Sequence, residues 1–236
     1  MQLNEASVAT DTKIAANAAY APGASLLERV GKEWAYLSFK RSFDIVGSAL
    51  AIAVLSPLFL AAAAAIKAED GGPVIHTRIC VGKHGKTYRM YKFRSMKVSA
   101  DNLEKWLTPE QIEEYRKEIK LKNDPRITKV GSLIRKTSID ELAQLFSILQ
   151  GSMSFVGPRP LVREELEYFG DDIDAILSVK PGLTGYWQVN GRSDCTYESG
   201  ERQKMELHYV MHRSLWMDLK ILLRTVKTVC CGKGAY

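Results

Sequence analysis

The sequence has few cysteines, and their spacing argues against the common cysteine-based scaffolds. Four are present, Cys80, Cys195, Cys230 and Cys231, and no spacing between them matches a zinc site. The adjacent pair Cys230 and Cys231 is also a poor basis for a disulfide framework. The sequence therefore predicts a protein of a reducing compartment without a cysteine-bound structural metal.

The N-terminal segment lacks the continuous apolar core of a secretory signal. Residues 1–26 are rich in alanine, asparagine, serine and threonine, and they include Glu5 and Asp11. The segment shows no sustained periodicity, so it has little to bury. We expect residues 1–26 to form a mobile tail, and we expect the chain to start in the cytosol.

A strong excess of one charge is also missing. The formal net charge is +6, which is compatible with nucleic acid, an anionic bilayer surface or a phosphorylated substrate as partner. Acidic residues are interspersed among the basic ones and no known recognition module appears, so we expect no nucleic-acid partner. A non-enzymatic membrane adaptor that holds acidic partners on its basic surface is an alternative function.

Charged side chains are absent from residues 45–66, a length close to the roughly 20 residues that cross a bilayer. Basic residues flank both ends, so the positive-inside rule gives no direction for a single crossing. Pro57 lies in the middle and removes one helical hydrogen bond, while Ser56 is available for a freed carbonyl. We therefore favour a re-entrant helix that bends at Ser56 and Pro57. A spanning helix and a buried core helix are the alternatives.

The remaining segments predict a mainly helical, monotopic α+β membrane protein. Alternating runs at 74–80 and 87–96 predict a β-hairpin, and residues 100–122 predict a solvated amphipathic helix. The basic amphipathic C-terminal segment suits either a membrane interface or a protein core. The predicted organisation is a tail (1–26), an amphipathic and re-entrant membrane helix (27–67), and a cytoplasmic catalytic region with an interfacial C-terminal helix (68–236).

A predicted helix start carries the best candidate for chemistry. Ser138 and Glu141 have the spacing of a capping box, which would place Asp140 at the second helical position, away from the apolar stripe. There the helix dipole would lower the pKa of Asp140 and keep an exposed, ionised carboxylate, as a nucleophile requires. Arg135 and Lys136 lie just upstream and favour an anionic ligand such as phosphate. Capping without chemistry is the plainer alternative.

Two loops add candidate ligand-binding residues. In the first, Pro158 and Pro160 restrict the backbone around Arg159, so a rigid loop presents a guanidinium suited to bidentate contact with phosphate or carboxylate. In the second, a high density of glycines surrounds Gln188 and Arg192. Structural turns that bind nothing are the alternative for both loops.

Five motifs in fixed order resemble the bacterial sugar transferase family, the monotopic phosphoglycosyl transferases. The motifs are KRSFDIVGSALAIAVLSPLFL, YKFRSM, DPRITKVGSLIRKTSIDEL, FVGPRPL and PGLTGYWQVNGR. The resemblance runs from about Lys40 to the C-terminus. The chain is especially similar to the short members that begin exopolysaccharide synthesis with galactose or glucose.

The resemblance implies a two-step transfer of hexose-1-phosphate from a UDP-sugar to undecaprenyl phosphate, with galactose favoured and glucose next. Asp140 matches the family's nucleophile, which would carry the phosphosugar covalently after UMP release, and Glu141 matches its acidic partner. A single-step transfer, in which Asp140 only binds the metal, is the alternative within the enzymes.

The same matching assigns the remaining roles. Mg²⁺ is expected at Asp140, because phosphoryl transfer develops charge on oxygens that a hard cation stabilises. The expected setting is the cytoplasmic face of the inner membrane, with anionic lipids as partners and a homodimer as a further expectation. The residues expected to hold phosphates or uridine are Lys92, Arg94, Arg135, Pro158, Arg159 and Pro160, with Gln188 and Arg192 from the second loop.

One position departs from the family pattern, since this chain has Ala143 where proline is common. Alanine is the better helix residue beyond the first turn. The departure therefore concerns the local rigidity of the nucleophile and leaves its identity unchanged.

Overall fold

The computed structural model describes residues 26–118, 121, 123–191, 197 and 199–230. The predicted tail lies outside these residues except for Leu26, and so does Arg192. Most described residues are helical. The α-helices are α1 Leu26–Asp70, α2 Leu103–Trp106, α3 Pro109–Glu118, α4 Lys129–Lys136, α5 Gln144–Gln150, α6 Ile173–Ile176, α7 Tyr186–Asn190, α8 Glu201–His212 and α9 Leu215–Cys230. The strands are β1 Ile75–Val81, β2 Thr87–Phe93, β3 Ser154–Val156 and β4 Gly182–Thr184, and 3₁₀ helices cover Lys83–Gly85, Ile139–Ala143 and Arg163–Asp172.

The long helix α1 has one face on the rest of the chain and other faces exposed. Its length and composition would allow it to cross a membrane. Val54 and Leu60 are 75% and 72% exposed. The helix runs through Pro57, and the Ser56 hydroxyl donates a 2.8 Å hydrogen bond to the carbonyl of Ala53. The side chains of α1 that are buried lie between residues 44 and 66: Asp44, Ser48, Phe59, Ala62 and Ile66.

Polar contacts attach α1 to the same body of protein near its middle and at its C-terminal end. The buried Asp44 carboxylate accepts hydrogen bonds from the Phe155 amide at 2.9 Å and the Ser154 hydroxyl at 3.0 Å. At the far end, Asp70 forms a bidentate ion pair with Arg94. Residues 44–70 of α1 are therefore held along the domain, a course of about 40 Å at helical rise.

The predicted β-hairpin is confirmed. β1 and β2 pair antiparallel with Ile75 opposite Phe93, close to the predicted limits. The inward side chains join the main core, in which Cys80, Met90 and Phe93 pack with residues of α1, α4 and α5. Burial does not alternate along β1, where Cys80 and Val81 are both buried and the five preceding residues are exposed, so the sequence pattern located the strands without defining a buried face.

The single helix predicted over residues 100–122 is wrong. Two helices, α2 and α3, occupy this part of the described chain, and Leu107 between them is extended, with φ −120° and ψ 148°. Pro109 disfavours helical geometry at Thr108, so a continuous helix cannot pass this point without strain. Apolar residues at helical spacing on both sides concealed the interruption.

The C-terminal helix α9 has a core-facing side, and its predicted membrane-interface role stays a prediction. Ile221 is buried in a cluster with Val156 and Tyr209. On other faces, Trp216 and Leu223 are each 63% exposed. The helix therefore has a core-facing side together with exposed apolar side chains of the kind found at membrane interfaces.

A glycine fixes the approach of α4 to the end of the hairpin, which gives a stability prediction. A Cβ at Gly131 would overlap the backbone oxygen of Ser95. We expect Gly131→Ala to lower the free energy of unfolding by about 2 kcal/mol, because neither backbone is able to yield cheaply. Thermal unfolding of the detergent-purified chain measures this.

The matched control is Gly31→Ala in α1, where an added Cβ meets nothing within 4 Å. That change should leave stability unchanged or raise it by up to about 1 kcal/mol, because alanine favours helix. Equal melting temperatures for the two variants would contradict the close contact at Gly131.

Candidate active site

Asp140 lies in the 3₁₀ helix Ile139–Ala143, between α4 and α5, and is 9% exposed. The predicted capping box does not form. Ser138 has φ 56° and ψ 18°, and its side chain makes no capping hydrogen bond. A left-handed residue at the cap position turns the chain, so the segment continues as a 3₁₀ turn into which Asp140 is folded. The prediction of an exposed Asp140 at the start of an α-helix is therefore wrong.

The direction of the pKa shift at Asp140 also differs from the sequence prediction. Burial raises the pKa of Asp140 from its ordinary 3.8 to about 6. The positive charges of Lys92 and Arg135 oppose this rise, while repulsion from Glu141 adds to it. The predicted lowering by a helix dipole is wrong, because desolvation of the carboxylate outweighs the surrounding positive charge.

A cation from the hairpin reaches this carboxylate pair. The Lys92 ammonium, delivered by β2, forms a 2.8 Å ion pair with Glu141, and both side chains are partly exposed. Arg135 comes from the last turn of α4, where its Nε donates a 2.8 Å hydrogen bond to the Ser95 hydroxyl. The structure thus brings together four of the predicted site residues: Lys92, Arg135, Asp140 and Glu141.

The Arg94 side chain is buried and makes contacts within the fold. Its guanidinium is 7% exposed and pairs with Asp70, and its Nε donates a 2.5 Å hydrogen bond to the carbonyl of Pro73. These contacts tie the end of α1 to the end of β2. A substrate-binding role for Arg94 stays a prediction, and its substrate would have to share a guanidinium already engaged by Asp70.

Two buried glutamates hold the loop of Pro158, Arg159 and Pro160. Arg159 Nη1 forms a 2.9 Å ion pair with Glu165, and the Arg159 backbone N–H donates to Glu206 at 3.2 Å. Glu206 is 1% exposed, and burial raises its pKa to about 7. Sequence reasoning missed both glutamates, because acids in charged helical segments usually face solvent.

The predicted glycine-rich loop contains the short helix α7. Gln188 donates a 3.3 Å hydrogen bond to the carbonyl of Leu183. Its neighbour Trp187 stacks on the guanidinium of Arg202 at 4.0 Å, and Tyr197 stacks on the same guanidinium at 3.9 Å. Arg202 was not singled out from the sequence, since no local pattern indicates that these two aromatic rings meet on its guanidinium.

The carboxylates at Asp140 suit a magnesium ion that takes only part of its ligands from the protein. In the part of the chain that the structure describes, no group of three or more His, Cys, Asp or Glu side chains forms a metal-binding cluster. Asp140 and its neighbour Glu141 supply two carboxylates, and their mutual repulsion contributes to the raised pKa of Asp140. Mg²⁺ commonly takes one or two carboxylates and completes its shell with substrate phosphates and water.

The family model described as bacterial sugar transferase matches residues 35–232. The chain belongs to the bacterial sugar transferase family. The matched region contains both candidate loops. It also contains the four residues grouped at Asp140, which we call the Asp140 cluster: Lys92, Arg135, Asp140 and Glu141.

Curated relatives of the sugar transferase share its sequence over most of its length. The undecaprenyl-phosphate galactose phosphotransferase of Salmonella typhimurium is 48% identical over 200 residues, covering 84% of this chain and 41% of that protein. The exopolysaccharide production protein ExoY of Rhizobium meliloti is 42% identical over 200 residues, 84% of this chain and 88% of that protein. The UDP-glucose:undecaprenyl-phosphate glucose-1-phosphate transferase of Klebsiella pneumoniae is 39% identical over 204 residues. The chain spans less than half the length of the Salmonella and Klebsiella relatives.

The raised pKa of Asp140 predicts a pH-dependent cost to stability. Between the ordinary value of 3.8 and about 6, the unfolded state loses a proton that the folded state keeps, so stability falls as pH rises. Asp140→Asn removes this cost. We expect it to raise the free energy of unfolding by roughly 2 kcal/mol at neutral pH, with a gain that shrinks as pH falls through this window.

Thermal unfolding at several pH values measures the effect. Asp171→Asn is the matched control, since Asp171 is exposed and the change removes the same charge. If Asp140→Asn were no more stable than wild type at neutral pH, and Asp171→Asn also had wild-type stability, the result would contradict the desolvation of Asp140.

Proposed function

We propose that the chain transfers hexose-1-phosphate from a UDP-sugar to undecaprenyl phosphate and releases UMP. The observation that carries the proposal is the grouping of Asp140, Glu141, Lys92 and Arg135 in a member of the bacterial sugar transferase family. The names of relatives supply the substrates: undecaprenyl phosphate with galactose in Salmonella typhimurium, and UDP-glucose with undecaprenyl phosphate in Klebsiella pneumoniae.

The first step uses Asp140 as a nucleophile. One carboxylate oxygen attacks the β-phosphorus of the UDP-sugar, and the bond from that phosphorus to the bridging oxygen breaks, so UMP leaves. The product is a mixed anhydride between Asp140 and the sugar phosphate. With a pKa of about 6, Asp140 is largely ionised at neutral pH and remains more basic than an ordinary aspartate.

In the second step, a phosphate oxygen of undecaprenyl phosphate attacks the same phosphorus and displaces the Asp140 carboxylate. Lys92 and Arg135 are placed to neutralise charge on the phosphoryl oxygens, as transfer of this kind requires. Glu141 orients Lys92 through their ion pair. Asp140 would hold the expected Mg²⁺, which supplies a hard positive charge for the diphosphate oxygens.

Galactose is the favoured sugar and glucose the next. Proteins named for galactose transfer occur among the relatives from Salmonella typhimurium and Erwinia amylovora, and the glucose enzyme of Klebsiella pneumoniae is also related. The ExoY relatives are named for exopolysaccharide production, which supports a place at the first membrane step of that synthesis. A UMP-release assay with UDP-galactose, UDP-glucose and their N-acetyl forms ranks the substrates.

The fold supports a monotopic position on the cytoplasmic face of the inner membrane. Asp44 and Asp70 of α1 both contact the same domain, so a straight crossing between them would carry part of that domain into lipid. Exposed apolar side chains of α1 and α9, including Val54, Leu60 and Trp216, provide the membrane-facing surface. A re-entrant course of α1 with its bend at Ser56 and Pro57 belongs to this proposal, and the homodimer stays a prediction.

The covalent step predicts a mass change without the lipid acceptor. After mixing with UDP-galactose alone, intact-protein mass spectrometry should show one added phosphohexose and free UMP. Asp140→Asn should remove the adduct and lower turnover by about a thousand-fold or more, because an amide is a poor nucleophile. Asp171→Asn is the control and should keep both.

An adduct that is absent from wild type during confirmed turnover would favour the single-step reaction, in which Asp140 only binds metal. Normal UMP release by the Asp140→Asn variant would remove the enzymatic role of this residue altogether.

The monotopic position predicts that both ends of the apolar helix face the cytoplasm. Ala35 and Ala68 are exposed on α1, on either side of the uncharged segment. Ala35→Cys and Ala68→Cys should both gain labelling by an impermeant maleimide in inverted vesicles, relative to the parent chain, and neither should gain it in spheroplasts. If one of the two cysteines were labelled in inverted vesicles and the other in spheroplasts, α1 would be a spanning helix.

A further inference from the structure

A cavity of about 250 Å³ lies beside the N-terminal half of α1, at a distance from the Asp140 cluster. We call it the α1 pocket. α1 forms one wall, and the other walls come from β3, the segment before β4, the turn between β1 and β2, and the junction of α8 and α9. Five basic residues line the pocket, against two acidic ones, Glu33 and Asp44: Lys40, Arg41, Lys83, Lys180 and Arg213.

Three of these cations have internal partners. Lys40 forms a 2.6 Å ion pair with Asp218, and Arg213 forms a 2.7 Å ion pair with Glu33. Arg41 donates to the carbonyl groups at the C-terminal end of α5, at 2.8 and 2.9 Å. These contacts hold the three cations in place in the wall of the pocket.

The other two cations, Lys83 and Lys180, have ammonium groups without any hydrogen bond or ion pair to the described residues. Both side chains are partly buried. Asp44 acts electrostatically on Lys180, but this residue is 2% exposed and its carboxylate already accepts hydrogen bonds from Ser154 and Phe155. The pocket therefore holds positive charge in excess of what its own acids neutralise.

The electrostatics of Lys180 are consistent with this excess. Burial lowers the pKa of Lys180, and the positive charges of Arg41, Lys83 and Lys40 lower it further, against the opposing charge of Asp44. Cations that repel one another inside a cavity are stabilised when an anion enters it.

The position of the pocket relates it to the membrane surface. Trp34 is 68% exposed one residue after Glu33, and Trp216 is 63% exposed three residues after Arg213. Exposed tryptophans of this kind settle at the headgroup level of a bilayer. Two such tryptophans therefore lie close in sequence to residues of the pocket wall, which favours an interfacial setting for the α1 pocket.

The pocket is separate from the reaction centre. Arg41 binds the C-terminal end of α5, whereas Asp140 precedes the N-terminal end of the same helix, and seven helical residues extend about 10 Å. The pocket lining includes none of Asp140, Glu141, Lys92 and Arg135. A phosphate held here would therefore lie too far away to attack a phosphosugar on Asp140.

We propose that the α1 pocket binds the phosphate headgroup of an anionic membrane phospholipid, with Lys83 and Lys180 as the main contacts. Basic pockets beside membrane helices bind such headgroups, and the uncompensated charge supplies the attraction. The bound lipid fixes the depth at which α1 sits and so holds the active site at the membrane surface. This inference depends on the membrane position proposed above and is independent of the covalent reaction.

The test is native mass spectrometry of the detergent-purified full chain, titrated with phosphatidylglycerol or with phosphatidylcholine of the same acyl chains. Wild type should bind phosphatidylglycerol in preference to phosphatidylcholine. Lys83→Gln combined with Lys180→Gln should weaken phosphatidylglycerol binding about thirty-fold, because each lysine near an anionic headgroup contributes roughly a factor of five.

The matched control is Lys86→Gln combined with Lys105→Gln, which removes the same charge from exposed positions outside the pocket. It should bind phosphatidylglycerol as wild type does. Lys180→Gln alone should show a smaller loss of about five-fold. Equal losses in the pocket and control pairs would show non-specific charge attraction and overturn the site.

Undecaprenyl phosphate serves as the second probe, since it offers the same phosphate chemistry from a substrate lipid. A pocket variant that loses undecaprenyl phosphate but keeps phosphatidylglycerol would overturn the assignment to phospholipid. Adduct formation with UDP-galactose alone should survive in the pocket variants. Failure of the lipid site is thereby distinguished from failure of the proposed reaction, which Asp140→Asn reports.

Discussion

The attachment of α1 to the folded domain is the constraint on which the structure depends. An apolar helix of this length would ordinarily be free to lie in lipid on all sides. Here the buried carboxylate of Asp44 accepts two hydrogen bonds from the start of β3, and Asp70 pairs with Arg94 after β2. Between them Phe59 and Ile66 enter the main core. The helix is therefore an integral part of the folded domain.

Burial and the neighbouring positive charges have opposite effects on the pKa of Asp140. The 3₁₀ turn removes the carboxylate from water, which raises its pKa, while Lys92 and Arg135 restrain that rise. In the proposed reaction, a carboxylate with a moderately raised pKa would be a better nucleophile than one fully stabilised by salt bridges. Lys92 and Glu141 are partly exposed, so the ion pair beside the buried Asp140 is open to solvent.

The sequence was most informative where a signal is local or where several motifs recur in order. The hairpin followed from alternation, and the family followed from motifs that the family model also matches. The sign of the pKa shift at Asp140 did not follow, because it depends on a left-handed turn at Ser138 and on the tertiary burial that results. Glu206 was missed for a related reason, since its partner Arg159 lies 47 residues away in sequence.

The Arg94 contact has a mechanical consequence. Arg94 grips the end of α1, and Lys92, two residues earlier on the same chain segment, is paired with Glu141 beside the reactive carboxylate. The C-terminal end of α1 and the ion pair beside Asp140 are thus joined through two residues of one backbone segment, so the position of α1 and the position of Lys92 are coupled.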